Sequence, residues 1–159
     1  MTVAIQLIRI DDRLIHGQVV ISWAGELQSN EIILGDNSIS ENEWERELYL
    51  SIVPTTIKAD VMNVKNLATF ISNYENDSRK TIILVAAPQV IEKILDYDVQ
   101  IEKVNVGGIH YREGRQQYLN YLYLDDQEIA SFKRCMKRGV RFECLDVPHG
   151  KKVPLENLV

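Results

Sequence analysis

One short stretch holds most of the reactive chemistry in this chain. It reads Arg9-Ile10-Asp11-Asp12-Arg13-Leu14-Ile15-His16-Gly17-Gln18, and from Asp11 to Gln18 it gathers two acids, an arginine and one of only three histidines. No other segment is so dense in such groups. His16 stands just before an expected helix start, where free backbone N–H groups and the positive end of the helix dipole favour an anion. Gly17 lets the backbone come close to a ligand, and the Arg13 guanidinium can fork onto phosphate oxygens. A histidine in that setting can carry a phosphoryl group. On spacing alone a plainer arrangement fits equally well: a histidine capping backbone amides beside a solvated ion-pair loop.

The elements that must position this loop alternate between strand-like and amphipathic helical runs, the pattern of a mainly parallel sheet with helices on both faces. Strand one is expected at Val3–Ile10. A helix from Gln18 then presents Val20, Trp23, Ala24 and Leu27 at helical spacing. Strand two is Glu31–Gly35. Ser40 stands three residues before Glu43 like a capping box, and Trp44, Leu48 and Ile52 continue that helix on one face until Pro54. Strand three runs from Thr56 to Met62, followed by a helix capped by Asn63 with Leu67, Phe70, Ile71 and Tyr74 inward, then the polar turn Asn76-Asp77-Ser78. Thr81–Ala87 is the most apolar strand and belongs in the interior, with Pro88 opening the helix of Ile91, Ile94 and Leu95. Strand five, Lys103–Val106, ends in Gly107-Gly108, and strand six is Tyr118–Leu124. Asp125 with Glu128 forms a capping box for a helix that ends at Gly139, before strand seven, Arg141–Val147. The connection between strands five and six is too short for a crossover helix, so those two should pair antiparallel or lie near an edge. The expected fold is thus an open, twisted, mainly parallel α/β sheet of about seven strands with one antiparallel pair near the C-terminal part. No repeat or linker divides it, so residues 1–159 read as one domain.

Composition narrows the function. The 159 residues carry 18 basic and 23 acidic side chains, a net charge of −5, which argues against a nucleic-acid binder that works by phosphate neutralisation. The longest purely apolar run, Ile82 to Ala87, is far short of the roughly 20 residues of a spanning helix. The start shows no basic region followed by an apolar one, so export is not expected. Cys135 and Cys144 lack metal-ligand spacing and read as reduced, packed thiols in a cytoplasmic protein. The three histidines show neither HxH nor HxxxH spacing, so no metal site is expected.

The run Arg9-Ile-Asp-Asp-Arg-Leu-Ile-His-Gly-Gln-Val19 closely resembles the active-site segment of the IIB components of bacterial sugar phosphotransferase systems, in the mannose/fructose/sorbose family. Val104-Asn-Val-Gly-Gly-Ile-His-Tyr-Arg-Glu-Gly114 resembles that family's segment after strand five. Asp126 to Gly139 is similar to its late helix. The resemblance implies a cytoplasmic phosphocarrier of the protein-N(pi)-phosphohistidine–sugar phosphotransferase class, without metal or cofactor. His16 would take a phosphoryl group from a IIA phosphohistidine and pass it to a sugar imported through IIC and IID membrane components, which the protein binds without entering the bilayer. Asp12, or failing that Asp11, would orient the His16 ring; Arg13 with backbone amides at Gly17 and Gln18 would bind the phosphoryl oxygens. Which ring nitrogen acts stays open. The C-terminal half is similar to the N-acetylgalactosamine branch, beside mannose, fructose or sorbose as the sugar.

One departure is Ala86-Ala87-Pro88, where many relatives carry a polar residue before the proline. The chief rival is a receiver-like phospho-signalling domain, which uses an acidic pair after strand one; its other parts are missing, since Val61-Met62-Asn63 ends strand three without an aspartate, no Ser or Thr closes strand four, and no lysine closes strand five before Gly107. A regulatory binding domain is the third reading. Lys133, Arg134, Lys137, Arg138 and Arg141 read as a solvated helix face, or as a contact for an acidic surface or lipid headgroups. Gly107-Gly108 reads as a turn or a close backbone approach, His110 as a loop residue or partner contact, and His149 as a turn residue. The tyrosines from Tyr118 to Tyr123 supply either an interface or a packed face.

Overall fold

The computed structural model describes residues 5–74 and 79–159. Val3 and Ala4 of the expected first strand, and the expected turn Asn76-Asp77-Ser78, lie outside the described residues. In chain order the strands are β1 (Ile5–Ile10), β2 (Glu31–Gly35), β3 (Lys58–Met62), β4 (Thr81–Val85), β5 (Lys103–Val106), β6 (Gln116–Leu119), β7 (Leu122–Leu124), β8 (Arg141–Cys144) and β9 (Val153–Pro154). A π-helical segment, Val19–Ala24, continues as the short α1 (Gly25–Leu27); α2 (Asn37–Glu41), α3 (Glu43–Ile52), α4 (Val64–Ser72), α5 (Pro88–Leu95) and α6 (Asp126–Lys137) follow.

Strands β2 and β4 are buried along their whole length, as continuous apolar runs require when both sheet faces are covered. The sheet order is β3-β2-β4-β1-β5-β8-β9, parallel except for β9 against β8. From β1 to β3 the chain moves one way along the sheet, and from β3 to β8 it moves the other. Right-handed crossovers therefore place the Val19–Leu27 helix and α3 on one face and α4, α5 and α6 on the other. Two apolar clusters fill the two faces.

Several local signals act as the sequence predicts. Asn63 caps α4 by accepting from the Asn66 N–H, Asp125 and Glu128 exchange reciprocal bonds, Pro88 opens α5, and Gly139 sits at φ 96° after α6. Three expectations are corrected. The stretch Tyr118–Leu124 is no single strand: it turns at Asn120-Tyr121 into the antiparallel hairpin β6–β7, which stands apart from the main sheet. It cannot pair with β5, because β1 and β8 already occupy both edges of β5. Helix α3 is capped by Asn42, whose side chain accepts from the Glu45 N–H; Ser40 belongs to α2, which Asp36 caps. In that frame Tyr49, Leu50 and Val53 pack inward, while Trp44, Leu48 and Ile52 are exposed on a helix that covers the edge strand. Finally, β4 stops at Val85 and β8 at Cys144, and the residues beyond them become loops at the same end of the sheet. No helix among the described residues is long and apolar enough to cross a membrane.

Candidate functional site

The C-terminal ends of β1, β4 and β5 meet through backbone bonds: Asp11 N–H donates to Val85 O at 2.9 Å, Asp12 N–H to Gly108 O at 2.9 Å, and Gly107 N–H to Ile10 O at 2.7 Å. Beyond β1 the Asp11 side chain accepts from the Arg13 N–H at 3.1 Å, an Asx turn. Leu14 follows at φ 61°, a left-handed conformation that costs a leucine about 1–3 kcal/mol and is held here by burial of its side chain. The chain becomes helical at Gly17 and is π-helical from Val19, a widened turn often found beside functional sites. The wide turn brings Val19, Val20, Trp23 and Ala24 inward together.

Three side chains converge on a single oxygen. Asp11 Oδ2 lies 3.1 Å from Arg9 Nη2, 2.9 Å from Arg13 Nη2 and 3.4 Å from His16 Nε2. Asp11 Oδ1 accepts from Arg13 Nε at 3.1 Å. Burial is the largest influence on this carboxyl and pushes its pKa up, but the hydrogen bonds from His16 and Arg13, with the charge of Arg9, outweigh it and hold the group well below the usual carboxylate range. The same bonds to Asp11 raise the pKa of Arg13.

Arg9 lies beneath this cluster with no exposure to solvent. Its guanidinium donates to Asn105 Oδ1, to Leu145 O at 2.8 Å and to Asp146 O at 3.0 Å, and stacks 4.9 Å from the Trp23 ring centroid. Burial lowers its pKa, with Asp11 opposing, yet an arginine remains charged at any physiological pH. The backbone of Gly107 passes so close that a Cβ there would overlap the Arg9 guanidinium. Gly107 is thus a close approach, not only a turn.

Asp12 faces away from His16. Its Oδ1 is 2.6 Å from His110 Nδ1 and its Oδ2 accepts from the His110 N–H at 2.8 Å. Arg115 donates to His110 O at 2.7 Å and grips Glu128 with two bonds, at 2.9 and 2.7 Å. Asp12 therefore ties the loop after β1 to the loop after β5, which Arg115 in turn links to the start of α6, and the carboxylate that touches His16 is the second candidate, Asp11. Gln18 Oε1 accepts from Arg13 Nη1 at 3.1 Å, and Gly17 lies in open space.

Asn105, Asp146 and the helix residue Trp23 also join the site, together with Arg9 from the head of the reactive stretch. The available signals were a polar Asn inside the apolar strand Lys103–Val106 and an acid just past the C-terminal end of β8. Other candidates lie elsewhere. His149 pairs with Glu26 at 3.1 Å on the surface, while Arg134 and Arg138 of the basic run bind Glu92 of α5 and Asp96 just after it. Chemically, the site offers an imidazole held by Nε2 against an ionised carboxylate, at the start of a helix, beside a half-exposed guanidinium. In the tautomer that donates from Nε2, Nδ1 carries the free lone pair.

The chain matches the family model of the PTS system sorbose subfamily IIB component over residues 5–159. It is 30% identical over 155 residues to the mannose-specific EIIAB component of the phosphotransferase system (PTS) of Escherichia coli (strain K12), covering 98% of this chain and 48% of that protein, so the chain spans about half that relative's length. The PTS fructose-specific EIIB component of Bacillus subtilis (strain 168) is 30% identical over 144 residues, 91% of this chain and 88% of that protein. Among solved structures, the IIBSor domain of the sorbose permease from Klebsiella pneumoniae superposes with a TM-score of 0.87 at 28% identity, over 98% of this chain and 95% of that one.

Proposed function

The chain belongs to the sorbose-subfamily IIB components of phosphotransferase systems, and from that premise we propose that it is a cytoplasmic phosphocarrier acting through His16. The observation that carries this reading is the contact of His16 Nε2 with an Asp11 carboxylate that also holds Arg13. With its proton on Nε2, the ring attacks phosphorus through Nδ1. The new P–N bond forms as the bond to a IIA histidine breaks, and that histidine keeps the electron pair. Asp11 stabilises the positive charge growing on the His16 ring. Arg13 and the amides at Gly17 and Gln18 meet the oxygens of a loose, metaphosphate-like transition state.

At IIC and IID membrane components the P–N bond then breaks, Nδ1 keeping its electron pair, as a P–O bond forms to a sugar hydroxyl whose proton passes to solvent. This makes the protein a protein-N(pi)-phosphohistidine–sugar phosphotransferase acting as one 1–159 domain. Relatives are named for mannose, fructose, sorbose or N-acetylgalactosamine, which supports an acceptor sugar from that group, chosen mostly by the membrane components. The test is phosphorylation by the upstream phosphocarriers. The wild type acquires a label that is lost in acid and survives base, and His16→Ala acquires none. A base-labile label, or substantial labelling of His16→Ala, overturns the reading.

A further inference from the structure

The loop after β8 brings a second carboxylate to the cluster. Its backbone is clamped from below: Leu145 O accepts from Arg9 Nη1 at 2.8 Å, and Asp146 O accepts from Arg9 Nη2 at 3.0 Å and from Trp23 Nε1 at 3.2 Å. The Asp146 side chain is left pointing at the two guanidinium groups, Oδ1 3.8 Å from Arg13 Nη2 and 3.9 Å from Arg9 Nη2. Among the described residues this carboxylate makes no hydrogen bond, only these two longer ion contacts.

The charges of the hub then cancel: Arg9 and Arg13 against Asp11 and Asp146. The N–H groups of Arg13 are already shared, Nε and Nη2 with Asp11 and Nη1 with Gln18. A phosphoryl group on His16 adds close to two negative charges to a ring that meets the same Asp11 oxygen as that guanidinium. On the phosphocarrier reading Arg13 also meets the phosphoryl oxygens, and so would divide between them and Asp146, whose carboxylate is about a third exposed and fixed in place by its own backbone. Coulomb repulsion between partly buried like charges is screened much less than in open water.

We propose that Asp146 sets the phosphoryl-transfer potential of His16. By competing for Arg13 it keeps phospho-His16 loosely held, so that the group moves on instead of resting on the carrier. A carrier that binds the phosphorylated state too tightly lowers its own rate of onward transfer. Asp146 forms and breaks no bond in either step: the P–N bond to Nδ1 and the P–O bond to the sugar hydroxyl are made and broken without it. It is a positioning residue acting through Arg13. The inference rests on the phosphocarrier reading above.

The experiment uses Asp146→Asn, which keeps the side-chain shape and the backbone carbonyl bonded to Arg9 and Trp23, and Asp146→Glu, which keeps the charge. Each is equilibrated with phosphorylated IIA protein, and the equilibrium constant for transfer, the hydrolysis rate of phospho-His16 and the rate of onward transfer to sugar are measured. Asp146→Asn should raise the equilibrium constant about tenfold, slow hydrolysis and slow onward transfer, and its excess over wild type should shrink in about 1 M salt, where screening is nearly complete. Asp146→Glu should stay close to wild type. A loop-packing role would instead lower transfer in both directions with the equilibrium unmoved, and that result overturns the inference, as does an unchanged Asp146→Asn. Wild type lacking any acid-labile label would refute the phosphocarrier reading itself, a separately visible outcome.

Discussion

Asp11 holds together a buried arginine, a half-exposed arginine and a histidine, so its replacement is felt in stability as well as chemistry. Asp11→Asn removes the nearer counter-charge of Arg9 while leaving that guanidinium buried. Breaking a buried pair from one side costs about 3–5 kcal/mol, a loss readable as a lowered urea midpoint at pH 7. The pH dependence has a definite sign. The folded state holds the Asp11 carboxyl below its ordinary value, so the unfolded chain takes up the proton first. The stabilisation is complete above the ordinary carboxylate value of about 4 and is lost as pH falls through the folded value. Urea midpoints of the wild type should therefore fall steeply below about pH 4, and Asp11→Asn should show less of that fall. At this scale the sequence was legible in its residue types and illegible in its pairings. Asp11 and Asp12 carry the same local signal, but successive side chains at a strand end point to opposite sides. Which of them meets His16 depends on the helix that turns back over the sheet and on His110, which lies 98 residues from Asp12 and takes it away.

Among the elements, the close fit that bears on the site is where β5 ends. A methyl group at Gly107 would need Arg9 to move, and Arg9 is fixed by bonds to Asn105, Asp11, Leu145 and Asp146. Gly107→Ala should cost about 1–3 kcal/mol as overpacking and slow phosphorylation of His16, since moving Arg9 releases Asp11. Gly17→Ala is the control: its Cβ would meet nothing within 4 Å, and thermal melting should place its stability within about 0.5 kcal/mol of wild type. Caps and stops were legible here because they act over three or four residues, as Asn63, Asp125 with Glu128, Pro88 and Gly139 show. The frame of α3 was not, because Ser40 and Asn42 are both good caps and periodicity does not say which apolar stripe finds a neighbour. Trp44, Leu48 and Ile52 share one face at helical spacing, yet Tyr49, Leu50 and Val53 are the residues that meet the second core cluster.

For the molecule as a whole, alternation of strand and helix announced a parallel sheet, while strand order and the separate hairpin came only with the assembled chain. Burial in that assembly also decides the thiols. It pushes Cys135 up to about 11, with Glu92 adding to the effect, and Cys144 up to about 12. Both are therefore neutral and inert while the protein is folded. Thiol reagents at pH 8 should label neither cysteine in the native protein and both after unfolding. The folded state keeps these protons longer than the unfolded chain does, whose thiols titrate near 8.5. Stability is thus intact below about pH 8.5 and declines as pH rises towards the folded values.

Arg9 reaches its partners Asn105, Leu145 and Asp146 across 96, 136 and 137 residues of chain. Contacts of such separation close late in folding. A nascent chain on the ribosome carries the whole His16 segment long before the strand that completes its electrostatic setting has been synthesised. On the phosphocarrier reading, acceptance at His16 would wait for the last parallel strand to dock: until then Arg9 lacks the Leu145 and Asp146 carbonyls that hold it.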